Sequence, residues 1–458
     1  MSETPATLVI LGASGDLTHR LLLPGLGTLL RARPDIDVRL VGAAYDRLTD
    51  EQWRERVKDA LAQGGCKNAQ AERMASETTF HQLDVTSAAE MRAFLSELEE
   101  EGRPIVLYFA LPPAISQKAC QALSTFELPA GLRLAIEKPF GSSLESARAF
   151  NAQLTTLVPE ERIFRVDHYL GKATVLNLLG LRFGNRIFEP VWNAENIERV
   201  EVITDEHLAL EGRAGYYDTA GALKDMIQSH LMLVMAMFAM EEPSTIDALE
   251  LRDLIVHTLR ATRLWEGEGE VASRRARYTA GSVDGREVPD YVAEEGVDAS
   301  RETETLAELT LQICNARWAG VPFRLRSGKA LGDGFRGIVV KFKPLAYQPK
   351  GFRNLSSPNL LVIGIAPETI SLSISTNAEG NRWDFEQTTL SAQLSESPVR
   401  PYGEILDGIL TGDPLLSVRG DIAEECWRIL TPVFESWSDG TVPLDEYPAG
   451  SYGPTKWN

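Results

Sequence analysis

Eight consecutive residues, 165–172, bring an acid, an imidazole, a phenol and an ammonium group together as Arg-Val-Asp-His-Tyr-Leu-Gly-Lys. Apolar residues before them predict the end of a buried strand, and residues 173–183 carry apolar side chains at helical spacing. Lys172 is therefore predicted in the first turn of a helix. Because helix starts expose unpaired N–H groups, Lys172 with His168 and Tyr169 could bind a dianionic phosphate. The alternative is a solvated helix cap, which the His-Tyr pair makes less favoured.

A second histidine, His230, lies in an apolar segment, 221–240, that we predict to be one long helix. It shares a predicted face with Ile227 and Val234, where a histidine is more often a core residue than a catalyst. Burial would also suit a catalyst, because a desolvated neutral imidazole can act as a base near neutral pH. The sequence alone leaves both interpretations open.

The overall charge is strongly acidic, with 46 Lys and Arg against 65 Asp and Glu and a net charge of -19. Such a surface repels nucleic acid and anionic membranes, so neither is an expected partner. An anionic substrate would need a local basic cluster. The candidates for that cluster are Lys138, His168, Lys172 and Lys329.

The four cysteines are far apart in the chain and form no metal or redox spacing, and the six histidines show no paired ligand spacing. We expect reduced, mostly buried thiols and no metal. The first residues lead almost directly into a strand, without a charged and then apolar leader, and the longest apolar run, 231–240, is about half what a bilayer needs. We therefore expect a cytoplasmic protein.

The chain opens with strand, glycine turn and helix: apolar residues 7–11, then Gly12 and Gly15, then a leucine-rich helix over 17–30. The full G-x-G-x-x-G pattern is absent, so the turn of any doubly wound domain fits as well as a dinucleotide site. Further alternation of strands and helices predicts a parallel sheet. The other strands are predicted at 38–43, 80–85, 105–110 and 132–136.

Lys138 directly follows the fifth predicted strand. Ligands of doubly wound sheets bind beyond the carboxyl ends of the strands, which predicts Lys138 at a ligand crevice. The alternative is that Glu137 makes an ordinary surface salt bridge.

The second half of the sequence has a different pattern. Alternating apolar runs predict strands at 197–204, 323–326, 338–342, 360–365 and 370–374, the last four as an antiparallel meander. The sequence therefore predicts an α/β Rossmann-like dinucleotide-binding domain over 1–174, followed by an α+β domain with a large, mainly antiparallel sheet over 175–458. Residues 266–305 show no clear periodicity.

Five stretches resemble the glucose-6-phosphate dehydrogenase family. They are Gly-Ala-Ser-Gly-Asp-Leu at 12–17, Glu-Lys-Pro-Phe-Gly at 137–141, the octet 165–172, Tyr-Tyr-Asp-Thr-Ala-Gly-Ala-Leu at 216–223 continuing to His230, and Ala-Gly-Ser-Tyr-Gly-Pro at 449–454. The resemblance implies that residues 266–305 are ordered and that the large sheet mediates a homodimer, or a dimer of dimers. A solvated polar sheet face is the alternative.

The resemblance also implies the chemistry: hydride leaves C1 of glucose 6-phosphate for a nicotinamide cofactor, giving the lactone at the entry to the pentose phosphate pathway. In this scheme His230 is the base and Asp167 supports it. His168, Tyr169 and Lys172 would bind the phosphate. The sugar would be held by Lys138, Glu206, Asp225 and Lys329, where Glu206 lies ahead of Glu-Gly-Arg at 211–213.

NAD or NADP would bind along the first domain. The implied residues are Gly12, Ser14, Gly15, Asp16, Leu17, Tyr45, Asp46, Arg47, Asp84, Val85, Ala110, Leu111, Pro112 and Lys138. A carboxylate at the end of the second strand binds the free ribose diol of NAD and repels the extra phosphate of NADP, so Asp46 predicts that NAD is used at least as well as NADP. Two alternatives stay open: Arg47 could restore NADP binding, or Asp46 could merely cap the next helix near Thr49.

Three positions depart from the family pattern. Ser229 stands where asparagine is usual, Gly334 stands where a second basic residue is usual, with Arg336 two residues further on, and Ala366 replaces a glutamine before Pro367. Glucose 6-phosphate is the leading substrate and another hexose 6-phosphate the next. The rival hypotheses are an oxidoreductase of unphosphorylated sugars and a non-catalytic nucleotide-binding regulator with the same fold.

Overall fold

The computed structural model describes residues 5–100, 102–212, 214–354 and 358–457. The strands are β1 Ala6–Leu11, β2 Val38–Ala44, β3 Thr79–Gln82, β4 Ile105–Phe109, β5 Arg133–Glu137, β6 Ile163–Val166, β7 Ile197–Asp205, β8 Thr262–Leu264, β9 Ser273–Thr279, β10 Gly281–Val283, β11 Arg286–Val288, β12 Leu306–Ile313, β13 Phe323–Gly328, β14 Arg336–Phe342, β15 Leu360–Ile365, β16 Glu368–Asn377, β17 Phe385–Gln393, β18 Ser417–Val418 and β19 Leu444–Pro448.

The α-helices lie between these strands along the chain. They are α1 Leu23–Ala32, α2 Asp50–Gln63, α3 Ala69–Glu77, α4 Ala88–Glu99, α5 Pro113–Leu123, α6 Leu144–Leu157, α7 Ala173–Phe183, α8 Ala214–Ala222, α9 Met232–Ala239, α10 Ala248–Ala261, α11 Gly269–Ala272, α12 Pro401–Thr411 and α13 Gly420–Ser438. Among the described residues, none of the helices combines the length and apolar character needed to cross a membrane.

Two compact units divide the chain. The first takes in the described residues up to Ala173 together with Pro243–Leu254 and Ser397–Trp427, and the second takes in the remainder. The division after Ala173 lies one residue from the predicted boundary. The two later segments return to the first unit, whereas the sequence predicted one uninterrupted domain after residue 174.

The first unit contains a sheet in the order β3-β2-β1-β4-β5-β6-β18, in which neighbours are parallel except β6 and β18. Side chains of β1 alternate between two cores: Leu8 and Ile10 pack on one face, Val9 and Leu11 on the other. A sheet buried on both faces needs apolar residues at successive positions, which explains the continuous apolar runs. The order β3 to β6 is that of doubly wound dinucleotide-binding sheets, as predicted.

The returning segment Ser397–Trp427 is tied to the first unit by close backbone packing and by a buried arginine. Helices α1 and α12 meet where a Cβ on Gly25 would lie 2.8 Å from the Cβ of Tyr402. Arg165, fully buried, donates to Glu160 at 2.7 Å and to Asn151 at 3.0 Å. The side chain of Asn151 in turn donates to the carbonyl of Gly420 at 2.9 Å. The contacts of Gly25 with Tyr402 and of Asn151 with Gly420 join residues far apart in sequence, so periodicity could not predict them.

The second unit is built on a sheet in the order β17-β16-β15-β14-β7-β13-β12-β9-β19, with β8 also paired to β12. Its pairs are antiparallel except β7 with β13 and β9 with β19, so the predicted large, mainly antiparallel sheet is confirmed. The meander prediction is wrong for β13, which enters the sheet between β7 and β12 instead of beside β14.

Residues 266–305 are ordered around one buried acid, Asp218. Its carboxylate accepts hydrogen bonds from the Tyr291 hydroxyl at 2.8 Å, the Asp298 N–H at 3.0 Å and the Arg301 guanidinium at 2.5 Å. The hydroxyl of Thr303 donates to the Asp218 carbonyl at 2.6 Å. A single buried charge with this many donors can order an irregular segment, because an unpaired buried carboxylate is costly.

The predicted single helix over 221–240 is wrong in detail. Helix α8 is interrupted near its end by a non-helical Gly221 with φ of 66°. A π-helix then spans Leu223–Leu231, and α9 follows directly. At Gly221 a Cβ would collide with the Glu304 carboxylate, so glycine is required there. The wider π-helical turn shifts the face on which His230 lies from the one predicted by α-helical spacing.

Candidate active site

In the first unit, the predicted cofactor residues lie beyond the carboxyl ends of the parallel strands β1, β2, β3, β4 and β5. Gly12 has φ of 87° and donates its N–H to the Ala43 carbonyl at 2.8 Å. A Cβ on Gly12 would collide with the Ala110 carbonyl, so the turn between β1 and the next helix lies directly against the end of β4. This close approach fits a dinucleotide cradle, in which the pyrophosphate needs a turn free of side chains.

Asp46 lies at the end of β2, where the ribose would be expected. Its carboxylate accepts a hydrogen bond of 2.7 Å from the Ser14 hydroxyl, and both residues belong to the predicted cofactor set. Asp46 does not cap α2: Thr49 accepts from the Gln52 N–H, while the Gln52 side chain accepts from the Thr49 N–H. The helix-cap alternative for Asp46 is therefore wrong.

Tyr45 and Arg47, on either side of Asp46, both contact Gln82. The Arg47 guanidinium donates to the Gln82 side chain at 2.9 Å, and the Gln82 amide donates to the Tyr45 carbonyl at 3.2 Å. Gln82 is the last residue of β3, so Arg47 is directed towards the neighbouring strand. Tyr45 is 75% exposed.

The strand β3 ends at Gln82, three residues before its predicted end, so Asp84 and Val85 lie in the turn that follows. The Asp84 carboxylate accepts from the Thr86 hydroxyl at 2.7 Å and from the Thr86 N–H at 2.9 Å, and these bonds lower the pKa of Asp84. The remaining cofactor candidates, Leu111 and Pro112, lie between β4 and α5.

Glu137 precedes Lys138 and is held by tyrosines. The Tyr108 hydroxyl donates to Glu137 at 2.5 Å, and Tyr402 also donates to it. Burial raises the pKa of Glu137 to about 7, and the two tyrosine hydrogen bonds oppose that rise. Glu137 is thus held by two tyrosine hydroxyls directly before Lys138.

In the octet, Asp167 is fully buried and organises the turn after β6. Its carboxylate accepts from the Tyr169 N–H at 3.0 Å, and its carbonyl accepts from the Leu170 N–H at 3.1 Å. Lys172 Nζ lies 3.7 Å from the centre of the Tyr169 ring. Lys172 precedes α7, which begins at Ala173, so its predicted place inside the first helical turn is wrong by one residue.

His168 is half-buried, and its ring stacks on Tyr402 with 5.6 Å between ring centres and 11° between planes. Tyr402 therefore links His168 with Glu137, because it contacts both. Nothing in the sequence near residue 402 indicated this role, since Tyr402 lies in the first turn of α12, far along the chain from the octet.

In the second unit, three side chains meet around one carboxylate. Glu206 accepts from Lys329 Nζ on one oxygen and from the Arg336 guanidinium on the other, each at 2.8 Å. Glu206 follows β7, Lys329 follows β13, and Arg336 begins β14, so three adjacent strands supply them. The sequence predicted Glu206 and Lys329, and mentioned Arg336 only as a neighbour of Gly334.

The backbone around Lys329 is fixed by the last strand and by the segment after it. The Tyr447 hydroxyl donates to the Lys329 carbonyl at 2.7 Å, and the Gly450 N–H donates to the Ala330 carbonyl at 2.8 Å. Nearby, Arg326 donates to Asp205 at 2.9 Å and to the Tyr452 carbonyl at 2.9 Å. Burial raises the pKa of Asp205 to about 6, against the opposing charge and hydrogen bonds of Arg326.

The departures from the family pattern have distinct surroundings. A Cβ on Gly334 would lie 2.6 Å from the His207 imidazole, so that ring occupies the space of a side chain. Ser229 is buried in the π-helix. Ala366 lies in an exposed turn between β15 and β16.

His230 is buried near the end of the π-helix that also carries Asp225. The Tyr216 hydroxyl donates to Asp225 at 3.4 Å. At the start of this helix the Glu304 carboxylate accepts the Leu223 N–H at 2.9 Å, and burial raises the pKa of Glu304 to about 7. π-helical segments are frequent at functional sites, which favours a functional role for this segment.

Taken separately, the first unit has the strand order and glycine turn of dinucleotide-binding proteins, and the second presents a carboxylate between two cations. The fold and these residues define the class of dinucleotide-binding α/β proteins with a second, sheet-based unit. Residues 9–177 match the family model described as glucose-6-phosphate dehydrogenase, NAD binding domain, and residues 179–458 match glucose-6-phosphate dehydrogenase, C-terminal domain. The chain belongs to the glucose-6-phosphate dehydrogenase family.

Relatives agree over nearly the whole length. The glucose-6-phosphate 1-dehydrogenase of Treponema pallidum (strain Nichols) is 36% identical, covering 98% of this chain and 92% of the relative. That of Gluconobacter oxydans (strain 621H) is also 36% identical, covering 98% and 94%. A solved glucose-6-phosphate dehydrogenase in complex with its substrate glucose-6-phosphate is 30% identical, with a TM-score of 0.89, covering 99% of this chain and 96% of that one.

Proposed function

We propose that this protein is a glucose-6-phosphate 1-dehydrogenase, an oxidoreductase that converts glucose 6-phosphate to the lactone. The observation that carries the proposal is the match to both family domain models, which together span residues 9–177 and 179–458. The retained glycine turn, the octet 165–172 and the segment around His230 support it, because each holds the residue types that the reaction requires.

Our proposed mechanism uses one base. His230 takes the proton of the C1 hydroxyl as hydride leaves C1, and Asp167 stabilises the imidazolium that develops. The nicotinamide cofactor, when bound, accepts the hydride. The atoms balance: C1 loses one hydride and its hydroxyl loses one proton, which leaves the lactone carbonyl. His230 is buried in the π-helix Leu223–Leu231, and its imidazole is of the residue type that most often serves as a general base.

The phosphate of the substrate would be bound by His168, Tyr169 and Lys172. The contacts within the first unit support this role, because stacking on Tyr402 and packing of Lys172 on the Tyr169 ring restrict the His168 and Lys172 side chains. Restricted side chains lose less entropy on binding. Lys138, Glu206, Asp225 and Lys329 would hold the sugar, and glucose 6-phosphate is the substrate we favour.

We further propose that NAD is used at least as well as NADP. The Ser14 hydrogen bond to Asp46 supports this, because it holds a carboxylate at the end of β2, where it would repel a 2′-phosphate. Arg47 donates to Gln82 and so has a partner other than the cofactor.

The activity is tested by mixing the purified protein with glucose 6-phosphate and either cofactor, then following absorbance of the reduced nicotinamide. Fructose 6-phosphate, mannose 6-phosphate and free glucose serve as comparison substrates. Turnover should be fastest with glucose 6-phosphate. Faster turnover of another sugar would contradict the substrate assignment, and no turnover of any sugar would favour a non-catalytic role.

Cofactor choice is tested by the ratio of kcat/KM for NAD and NADP in the wild type, Asp46→Ser and Arg47→Ala. Removing the Asp46 carboxylate should shift the ratio towards NADP by about tenfold or more, the scale of one unfavourable charge contact. A strong NADP preference that persists in Arg47→Ala would show that neither residue reads the 2′ position as proposed.

A further inference from the structure

Each of the two Glu206 carboxylate oxygens is paired with a different cation. A sugar ligand could function without both of these ion pairs. Lys329 Nζ and Arg336 Nη2 each lie 2.8 Å from a different carboxylate oxygen. The Glu206 side chain is 22% exposed, and those of Lys329 and Arg336 are 19% and 34% exposed. The cluster is therefore shielded enough for its charges to matter, yet open enough to meet a ligand.

The sheet register explains why Arg336 reaches Glu206. Arg336 is paired with Thr204 across β14 and β7, and Glu206 is two residues beyond Thr204. Residues two apart along a strand point to the same face, so Arg336 and Glu206 are diagonal neighbours. Lys329 approaches from the other side, because it follows β13, which pairs with the opposite edge of β7.

Position 334, where the family usually has a second basic residue, is a glycine in this chain, and His207 occupies the space that a side chain would need there. His207 Nδ1 lies 3.1 Å from the Leu331 carbonyl, to which it donates, and His207 Nε2 accepts the Gly334 N–H at 3.0 Å. The imidazole thereby closes the loop between β13 and β14 and fills the space of a Gly334 side chain. Within the described chain, the guanidinium placed on the second Glu206 oxygen is that of Arg336.

We propose that Arg336 is a positioning residue of the sugar-binding site: by its hydrogen bond to the Glu206 carboxylate it fixes the Glu206 rotamer in the orientation that binds the sugar. The proposal rests on the proposed function, because it gives Glu206 a polyhydroxylated ligand. Two cations on opposite oxygens leave the carboxylate little freedom to rotate.

The competing interpretation is an ordinary inter-strand ion pair with no role in binding. The chain offers a matched control, because Lys341, on the same strand β14, donates to Glu198 at 2.6 Å across to β7. That pair has comparable exposure, with 22% for Lys341 and 35% for Glu198. It lies at the far end of the strands from Glu206.

The test measures kcat and KM for glucose 6-phosphate in the wild type, Arg336→Ala, Arg336→Lys and Lys341→Ala. Arg336→Ala should raise KM about tenfold, the scale of one hydrogen bond to a charged group, with kcat within about twofold. Arg336→Lys should recover most of that loss, and Lys341→Ala should leave KM unchanged. An unchanged KM in Arg336→Ala, or equal effects of Arg336→Ala and Lys341→Ala, would overturn the proposal.

A double-mutant cycle with Glu206→Ala tests whether Arg336 acts through Glu206. In that background Arg336→Ala should change KM less than twofold. A full tenfold change there would overturn the positioning role and indicate direct contact with the substrate. Wild-type turnover of glucose 6-phosphate is measured first, so that its absence refutes the proposed function and is not taken as a result on Arg336.

Discussion

The octet around Asp167 and the cluster around Glu206 are built in opposite ways. In the octet, the acid, imidazole, phenol and ammonium are supplied by six residues in a row, and a local turn on the Asp167 carboxylate arranges them. In the Glu206 cluster, the side chains are supplied by three strands that are adjacent in the sheet but distant in sequence. A contiguous site is therefore visible in a sequence, whereas a site assembled by strand pairing becomes visible only when the register is known.

The same contrast explains which parts of the fold could be predicted. The parallel strands were found because their apolar runs are continuous, and the glycine turn because Gly12 and Gly15 directly follow the first of these runs. The structure shows why glycine is needed there, since Gly12 has a positive φ. The returning segment Ser397–Trp427 could not be found, since the contacts that attach it, Gly25 with Tyr402 and Asn151 with Gly420, join distant positions.

Within the site, the sequence indicated most residues that carry charge but not those that support them. Tyr108 and Tyr402 hold Glu137, and Tyr447 holds the backbone of Lys329, yet no sequence motif marks any of these tyrosines. The π-helix was missed because a shift from 3.6 to a wider turn leaves no simple periodicity over nine residues.

The largest expected effect concerns His230. Its helical spacing did not decide whether it is a core residue or a catalyst. His230→Asn should lower kcat by roughly two to four decades, the usual effect of removing a general base, with KM little changed. Steady-state kinetics checks this, with His257→Asn, an exposed histidine of α10, as the control. Near wild-type turnover would show that His230 is a core residue.

Lys172→Ala tests the octet, whose residues are contiguous in the sequence. Removing the ammonium should raise KM for glucose 6-phosphate by about 10- to 100-fold, because a charge-assisted bond to phosphate is lost, and should scarcely affect KM for free glucose. The measurement is KM for both sugars, with Lys118→Ala as the control. Equal changes for the two sugars would mean that the octet does not bind phosphate.

Gly334→Ala tests the packing beside the Glu206 cluster, which is assembled from separate strands. The new methyl group would press on the His207 ring and should lower the free energy of unfolding by about 1–3 kcal/mol. Combining it with His207→Ala should cost less than the sum of the single changes, because the clash is removed. Denaturant unfolding checks this against Gly215→Ala, where a Cβ meets nothing within 4 Å. Strict additivity would refute the contact.

A smaller effect is expected from the buried acid at the start of the π-helix. Because burial raises the pKa of Glu304 from its ordinary 4.5 to about 7, the folded state holds a proton that the unfolded state releases. Its stabilising contribution is complete below pH 4.5 and is lost as the pH rises through 7.

Glu304→Gln should therefore flatten the dependence of unfolding free energy on pH between 4.5 and 7, by up to about 1.4 kcal/mol per pH unit. The amide oxygen can still accept the Leu223 N–H. Glu302→Gln, a nearby exposed change, is the control. A slope identical to that of the wild type would contradict the raised pKa.

The most direct test of the central claim follows the hydrogen on C1. Glucose 6-phosphate carrying deuterium at C1 is incubated with the protein and NAD, and the reduced cofactor is analysed by mass spectrometry. Direct hydride transfer predicts one deuterium in each reduced nicotinamide, together with formation of the lactone and its hydrolysis product. Reduced cofactor without deuterium, or cofactor that stays oxidised while the sugar phosphate is consumed, would contradict the proposed reaction.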